Sequence, residues 1–201
     1  MKIGPKYKIA RRLGAPIFEK TQTAKYALSL SRKERVGKVP RPAKSEYGQA
    51  LTEKQKARFT YGMTEKQFRS YVVKALKASS PTQKLFSQLE SRLDNILFRS
   101  GLSKTRQAAR QAASHGHVLV NGSRVTVPSI LLKAGDKVSL RAGSANSPLF
   151  AEVGEKMKSQ AMPAWLQVDP DNREVTVIGE PVYERGGQVF DLGVVIEFYN
   201  R

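Results

Sequence analysis

The side chains of this sequence that could do chemistry are cations, spaced to suit an anion. Arg106 and Arg110 lie four apart in "LSKTRQAARQAASHG", so on a helix they share a face, and Lys104 sits two residues before them. Cations there, beside the free N–H groups of a helix start, attract phosphate oxygens. His115 and His117 follow, and then "VLVNGSRV", in which Asn121 and Gly122 suit the two positive-φ positions of a type I′ turn and Arg124 lies just beyond. The chemistry on offer is recognition of a polyanion where a helix meets a hairpin.

The elements that must position these groups follow from periodicity. Ser103 is a good N-cap, Ala108, Ala109, Ala112 and Ala113 are small helix formers, and Gly116 fits the left-handed position that ends a helix. Upstream, "KLFSQLESRLDNILFRSG" predicts one helix with Leu85, Leu89, Leu93, Ile96 and Leu97 on a single stripe and Gly101 as its stop. Downstream, Val118, Val120 and Val125 flank the turn, and "VPSILLKAGDKVSL" predicts a turn at 134–136 and a strand with Val138 and Leu140. Two short helices thus lead into a small antiparallel sheet. From Thr52, "TEKQKARFTYGMTEKQFRSYVVKALKAS" predicts two helices separated by Gly62, with Thr52 and Thr64 as N-caps. Phe68, Tyr71, Val72, Ala75 and Leu76 make an apolar face, and Lys66, Arg69, Lys74 and Lys77 lie largely off it. A short helix is expected at 152–160, and both "PAWLQVDPDNREVTVIGEPV" and "VFDLGVVIEFYNR" read as alternating strands. The first fifty residues are basic, dotted with Gly and Pro, and show little periodicity, as befits a cationic arm or an extension that orders on RNA.

Charge supports the polyanion reading. Among 201 residues, 35 Lys and Arg stand against 17 Asp and Glu, a net +18. Residues 1–80 hold 20 basic and 5 acidic side chains, 81–150 hold 10 and 3, and 151–201 hold 5 and 9, so only the last quarter is acidic. With no cysteine, the chain has no disulfide, thiolate metal site or cysteine nucleophile. No apolar run approaches the roughly 20 residues of a membrane span, and "MKIGPKYKIARRLG" lacks the apolar stretch of a secretory signal, so the expectation is a soluble, unexported protein without a membrane partner. There is no P-loop, no GxGxxG after a strand and no supported Ser/His/Asp set. Two histidines without a further ligand are poor evidence for a metal. Asp94, two residues after Arg92, and Asp169, opening a turn, suit structural roles better than acid catalysis, and Trp165 with the Phe and Tyr set sits at core spacing.

The stretch "SRLDNILFRSGLSKTRQAARQAASHGHVLVNGSRVTVPSILLKAGDKVSL" resembles the S-four RNA-binding domain, in which a basic helix and a hairpin form one RNA-facing surface. With "SEYGQALTEKQKARFTYGMTEKQFRSY" before it, and "PAWLQVD" and "VVIEFYNR" after it, nearly the whole chain resembles the bacterial-type small-subunit ribosomal protein S-four family. The resemblance implies a non-enzymatic constituent of the ribosome in the cytoplasm, with an organellar ribosome as the alternative. It also implies binding to the 5′ domain of small-subunit rRNA, early assembly of the subunit body, a place beside ribosomal proteins S-five and S-three where mRNA enters, and an influence on decoding accuracy.

Carried over, the RNA-binding positions are Arg11 and Arg12; Lys54, Lys56 and Arg58; Arg69; and Arg92, Lys104, Thr105, Arg106 and Arg110. Lys38, Arg41 and Lys44 match a segment lying towards the mRNA path, and His115, His117, Asn121 and Arg124 complete the hairpin side. Some members bind zinc through an N-terminal cysteine cluster; this chain has none, and no zinc or other cofactor is expected.

The implied fold is α+β. A basic arm at 1–50 precedes a helical domain at 51–90, an S-four module occupies 91–151, and 152–201 packs back on the helical domain. The rival functions are an RNA-modifying enzyme that uses the module for targeting, for whose catalytic domain the remaining sequence leaves little room, and an RNA chaperone or translational repressor acting off the ribosome.

Overall fold

Pro5 and Gly14 bound the first helix, α1 (Lys6–Leu13), the glycine taking φ 70° to end it. The structure is a computed structural model and describes residues 3–35, 45–145 and 147–200. A 3-10 turn (Glu19–Gln22) leads to α2 (Ala24–Arg35). Ala10, Leu13, Ile17, Phe18 and Tyr26 bury together, so this basic stretch has its own small core rather than an aperiodic course. Lys38, Arg41 and Lys44 lie outside the described residues.

Helix α3 (Glu46–Thr60) starts earlier than Thr52, because Ser45 caps it by accepting the Gly48 N–H at 3.2 Å. Thr52 lies inside the helix and donates back to the Gly48 carbonyl at 2.7 Å. Gly62, at φ 61°, makes the expected break, and Thr64 caps α4 (Glu65–Ala75) through a reciprocal pair with Gln67.

The expected single Leu-rich helix is two: α5 (Pro81–Glu90) and α6 (Leu93–Arg99). Arg92, extended at ψ 141°, bridges to Leu131, and the Leu93 and Asp94 N–H groups donate to the Ile130 and Pro128 carbonyls. The loop after the hairpin captures donors that a continuous helix would satisfy internally. Then come α7 (Arg106–Ser114), the hairpin β1 (Val118–Val120) and β2 (Ser123–Val125), β3 (Lys137–Leu140), the short α8 (Ala142–Ala145), α9 (Val153–Ser159), β4 (Leu166–Asp169) and β5 (Glu174–Val177). The sheet is antiparallel in the order β2-β1-β3-β5-β4. Its core holds Leu93, Ile96, Ala109, Val118, Val138 and Val175, with Trp165 packed against it.

The last element, α10 (Leu192–Asn200), is a helix where strand alternation was expected. Leu192, Val195 and Tyr199 recur at helical spacing; the first two are buried, and Phe68 meets Tyr199 at 6.3 Å between ring centroids. Burial against helices overrides the β-branched composition.

The chain forms two compact units, Met1–Leu85 with Tyr183–Arg201, and Phe86–Val182. The C-terminal segment is therefore divided. Residues 152–182 belong with the S-four module because β5 pairs with β3, Val138 opposite Val175, and only Tyr183–Arg201 returns to the helical unit. That return uses aromatic and hydroxyl contacts, among them Phe68 with Tyr199 and the Tyr199 hydroxyl on Glu65.

Candidate nucleic-acid interface

Helix α7 begins at Thr105, whose hydroxyl accepts the Ala108 N–H at 3.1 Å; the anticipated cap Ser103 lies in the preceding turn, its own N–H donating to the Leu97 carbonyl. Ala109, Ala112 and Ala113 turn inward, which leaves Gln107, Ala108, Gln111, Ser114 and His115 exposed. Gly116, at φ 71°, ends the helix as expected. The Arg124 guanidinium packs on this glycine so closely that a Cβ there would collide with it, and donates to the His115 carbonyl at 3.3 Å. A cation at the negative end of a helix is favourably placed, so Arg124 braces the hairpin against α7 while staying exposed.

Asn121 and Gly122, at φ 49° and 77°, make the expected turn. The Asn121 amide donates to Asp136 at 2.8 Å and its oxygen accepts the Lys137 N–H at 2.9 Å, tying the turn to β3. The Lys133 N–H and then this amide hold the Asp136 carboxyl below its usual range.

Beneath α7 lies a polar network that the sequence did not reveal. Arg92 grips Asp94 through two hydrogen bonds, at 2.9 and 2.8 Å, and both side chains are about 5% exposed. Arg110 reaches the same carboxylate at 2.7 Å. Glu90, buried, receives two bonds from Arg99 and one from Asn95, and the Asn95 oxygen accepts from Arg106 at 2.8 Å. Arg106 also lies over the Phe98 ring, 4.3 Å from its centroid. The expected phosphate-facing pair, Arg106 and Arg110, thus ties α7 to α6, each only partly exposed.

Two expected contacts are turned inward altogether. Arg92 is 4% exposed and Lys54 7%, the latter paired with Glu65 at 2.9 Å and 4.8 Å from the Phe198 ring centroid. Desolvation forbids burying such charges without partners, and these partners hold them. Lys56 pairs with Glu53 at 2.6 Å, and Arg58 bonds Gln55 and lies over Phe59. Arg11 donates to the Tyr7 carbonyl and is partly exposed, while Arg12 and Arg69 are exposed.

Lys104, exposed, donates to Glu152 at 2.7 Å, and Lys156 stands 3.8 Å from the same carboxylate. The bond it donates to Glu152 raises the Lys104 pKa and lowers that of Glu152; partial burial and then Lys104 lower that of Lys156. His117 shares a 2.9 Å hydrogen bond with Ser144, and its ring lies 5.9 Å from His115 and 5.8 Å from Phe150. Among the described residues, no three His, Cys, Asp or Glu gather as a metal site would require, and no helix is long and apolar enough to cross a membrane.

Residues 1–91 match the ribosomal protein S4/S9 N-terminal domain, and residues 91–138 match the S4 domain. Small ribosomal subunit protein uS4 of Chlorobaculum tepidum is 38% identical over 199 residues, covering 96% of each chain. The chain belongs to the uS4 family. The uS4 of Streptococcus thermophilus is 39% identical over 98% of this chain and 97% of its own, and that of Lachnospira eligens 43% identical over 78% and 80%. The uS4 family consists of structural ribosomal proteins and not enzymes. Its two domain matches meet at residue 91, where the Arg92 bridge separates α5 from α6.

Proposed function

We propose that this chain is an rRNA-binding constituent of the small ribosomal subunit, using the outer face of α7 and the β1–β2 hairpin as its principal contact. The carrying observation is that Lys104 before the start of α7, Gln111 and His115 along it, and Arg124 beside its C-terminus are all exposed, in a chain whose first 150 residues are strongly basic. Thr105, Asn121 and His117 shape that surface, and Arg106 and Arg110 add field from its partly exposed inner edge. Arg11, Arg12, Lys56, Arg58 and Arg69 contribute a second set of phosphate contacts on the helical unit. Lys54 and Arg92 are structural.

The partner is the 5′ domain of small-subunit rRNA, bound early in assembly of the body. The family resemblance supports a position beside S-three and S-five, with Lys38, Arg41 and Lys44 towards the mRNA path and an effect on decoding accuracy. It works on the ribosome in the cytoplasm.

The test is a salt titration of binding to the 5′ domain rRNA against an unrelated structured RNA of equal length. Each phosphate contact contributes about −0.7 to −0.9 to the slope of log K against log salt. A preference for the 5′ domain that survives moderate salt, and a shallower slope for Lys104→Ala with Arg124→Ala, are expected. Equal binding to both RNAs would leave only a general polyanion binder.

A further inference from the structure

Beside the exposed face of α7 lies a cavity of about 300 Å³, between that helix, the turn after Ser147 and the start of α9. We propose that it receives one unstacked nucleobase of the bound RNA, with the attached phosphate on Lys104 and Lys156; this rests on the rRNA-binding reading above.

Size is the first argument. A cavity of roughly 150 Å³ admits benzene, so one twice as large suits a fused two-ring heterocycle. The second is the lining. Phe150 and the imidazoles of His115 and His117 give the pocket three aromatic rings, and Leu102 and Val153 add aliphatic wall. Aromatic faces stack bases that have left a helix, whatever their identity. The His117 Nδ1 is engaged by Ser144, which fixes the ring and leaves Nε2 as its other polar edge.

The third argument is charge at the rim. Lys104 and Lys156 flank the single carboxylate of Glu152, so the rim carries a net positive charge although Glu152 opposes part of it. The Lys104 side chain is 60% exposed and able to exchange Glu152 for a phosphate. Glu152, once released, is an acceptor for an exocyclic amine or a ribose hydroxyl. Continuity is the fourth. Lys104, Gln111 and His115 belong both to the cavity lining and to the exposed surface proposed for RNA, so a base leaving a strand on that surface has the cavity beside it.

The probe is adenosine 5′-monophosphate, titrated into the full chain while the His115 and His117 ring protons are followed by NMR. Saturable shifts of both rings are expected, together with a much smaller response to ribose 5-phosphate. Ala108, exposed and at the pocket wall, gives the blocking variant: Ala108→Leu keeps helix propensity and fills the opening. It is expected to abolish the shifts and to weaken 5′ domain rRNA binding about tenfold, the scale of one stacked base. Saturating rRNA should displace the mononucleotide.

Equal shifts with ribose 5-phosphate would overturn the proposal, leaving a cationic rim alone. So would a mononucleotide that stays bound under saturating rRNA, which would make the site one for free nucleotide. Normal rRNA affinity of the wild-type chain with no mononucleotide response would remove the base site and leave the proposed function standing. Loss of rRNA binding by the wild-type chain itself would overturn both. If Ala108→Leu keeps its rRNA affinity yet enters small subunits poorly, the cavity takes a side chain of a neighbouring protein instead.

Discussion

Each of the two units gathers cations around carboxylates, and the two clusters differ in depth. In the helical unit, Glu65, with its side chain 46% exposed, holds Lys54, lies 3.6 Å from Arg58 and accepts the Tyr199 hydroxyl at 2.6 Å. In the S-four unit, Asp94 and Glu90 are almost wholly buried and hold Arg92, Arg99 and Arg110. The half-open cluster joins helices distant in sequence and can exchange partners with water. The buried one has no such exchange, so each carboxylate must be matched by donors in fixed geometry. A basic residue count therefore says little about where phosphate binds, because depth decides which cations face outward.

The comparison breaks most directly at Asp94. Asp94→Ala leaves the Arg92 guanidinium buried without its carboxylate and should cost about 3–5 kcal/mol in chemical denaturation. A cost below about 1 kcal/mol would place that cluster with the exposed pairs. Arg106→Ala with Arg110→Ala comes next. On sequence alone, added alanines in a helix should be tolerated; the bonds to Asn95 and Asp94 predict instead a loss of about 2–3 kcal/mol, visible in thermal melts without RNA.

The Glu65 cluster should yield smaller effects. Tyr199→Phe should cost about 1 kcal/mol. Burial acts to raise the Glu65 pKa, but hydrogen bonds from Tyr199 and Lys54 outweigh it and the net shift is downward. The stability Glu65 contributes is then fully present above its ordinary value of 4.5 and is lost as pH falls through the lowered one. An acid titration of wild type against Glu65→Gln should show the difference between them closing below that value. Burial and then Glu65 raise the Tyr199 pKa, so the tyrosine's contribution holds through neutral pH and disappears only in strong base. Smallest for stability is Lys104→Ala, which should leave the melting midpoint unchanged and reduce the magnitude of the RNA salt slope by about 0.7–0.9.

Local chemistry made part of this fold legible. Asn121-Gly122, Gly116 and the Thr64 cap each act within a few residues, and each takes the expected conformation. The misses share a cause in distant partners. The Leu stripe from Leu85 to Leu97 keeps helical spacing across Arg92, so periodicity could not register that Pro128 and Ile130 claim the backbone donors there. The residues "VVIEFY" favour strand by type, and only their docking on other helices makes α10. Of the candidate site, the α7–hairpin junction and its exposed cations were legible. The inward roles of Lys54, Arg92, Arg106 and Arg110 were not, since Glu65, Asp94 and Asn95 carry no motif marking them as partners. Glu152 and Lys156 escaped because the lysine they meet lies 48 residues earlier for Glu152 and further for Lys156.

The return of α10 to the helical unit also sets an order of events during synthesis. The bond from its Tyr199 hydroxyl to Glu65 of α4 spans 134 residues, and the Asp191 N–H just before it reaches Glu53 of α3 across 138. The S-four unit, by contrast, is one uninterrupted stretch, Phe86–Val182. A growing chain completes that inserted unit before its own N-terminal part can close, inverting the usual N-to-C sequence of domain completion. Until residues 183–201 emerge, the nascent chain carries a finished central module and an N-terminal unit still lacking its last helix.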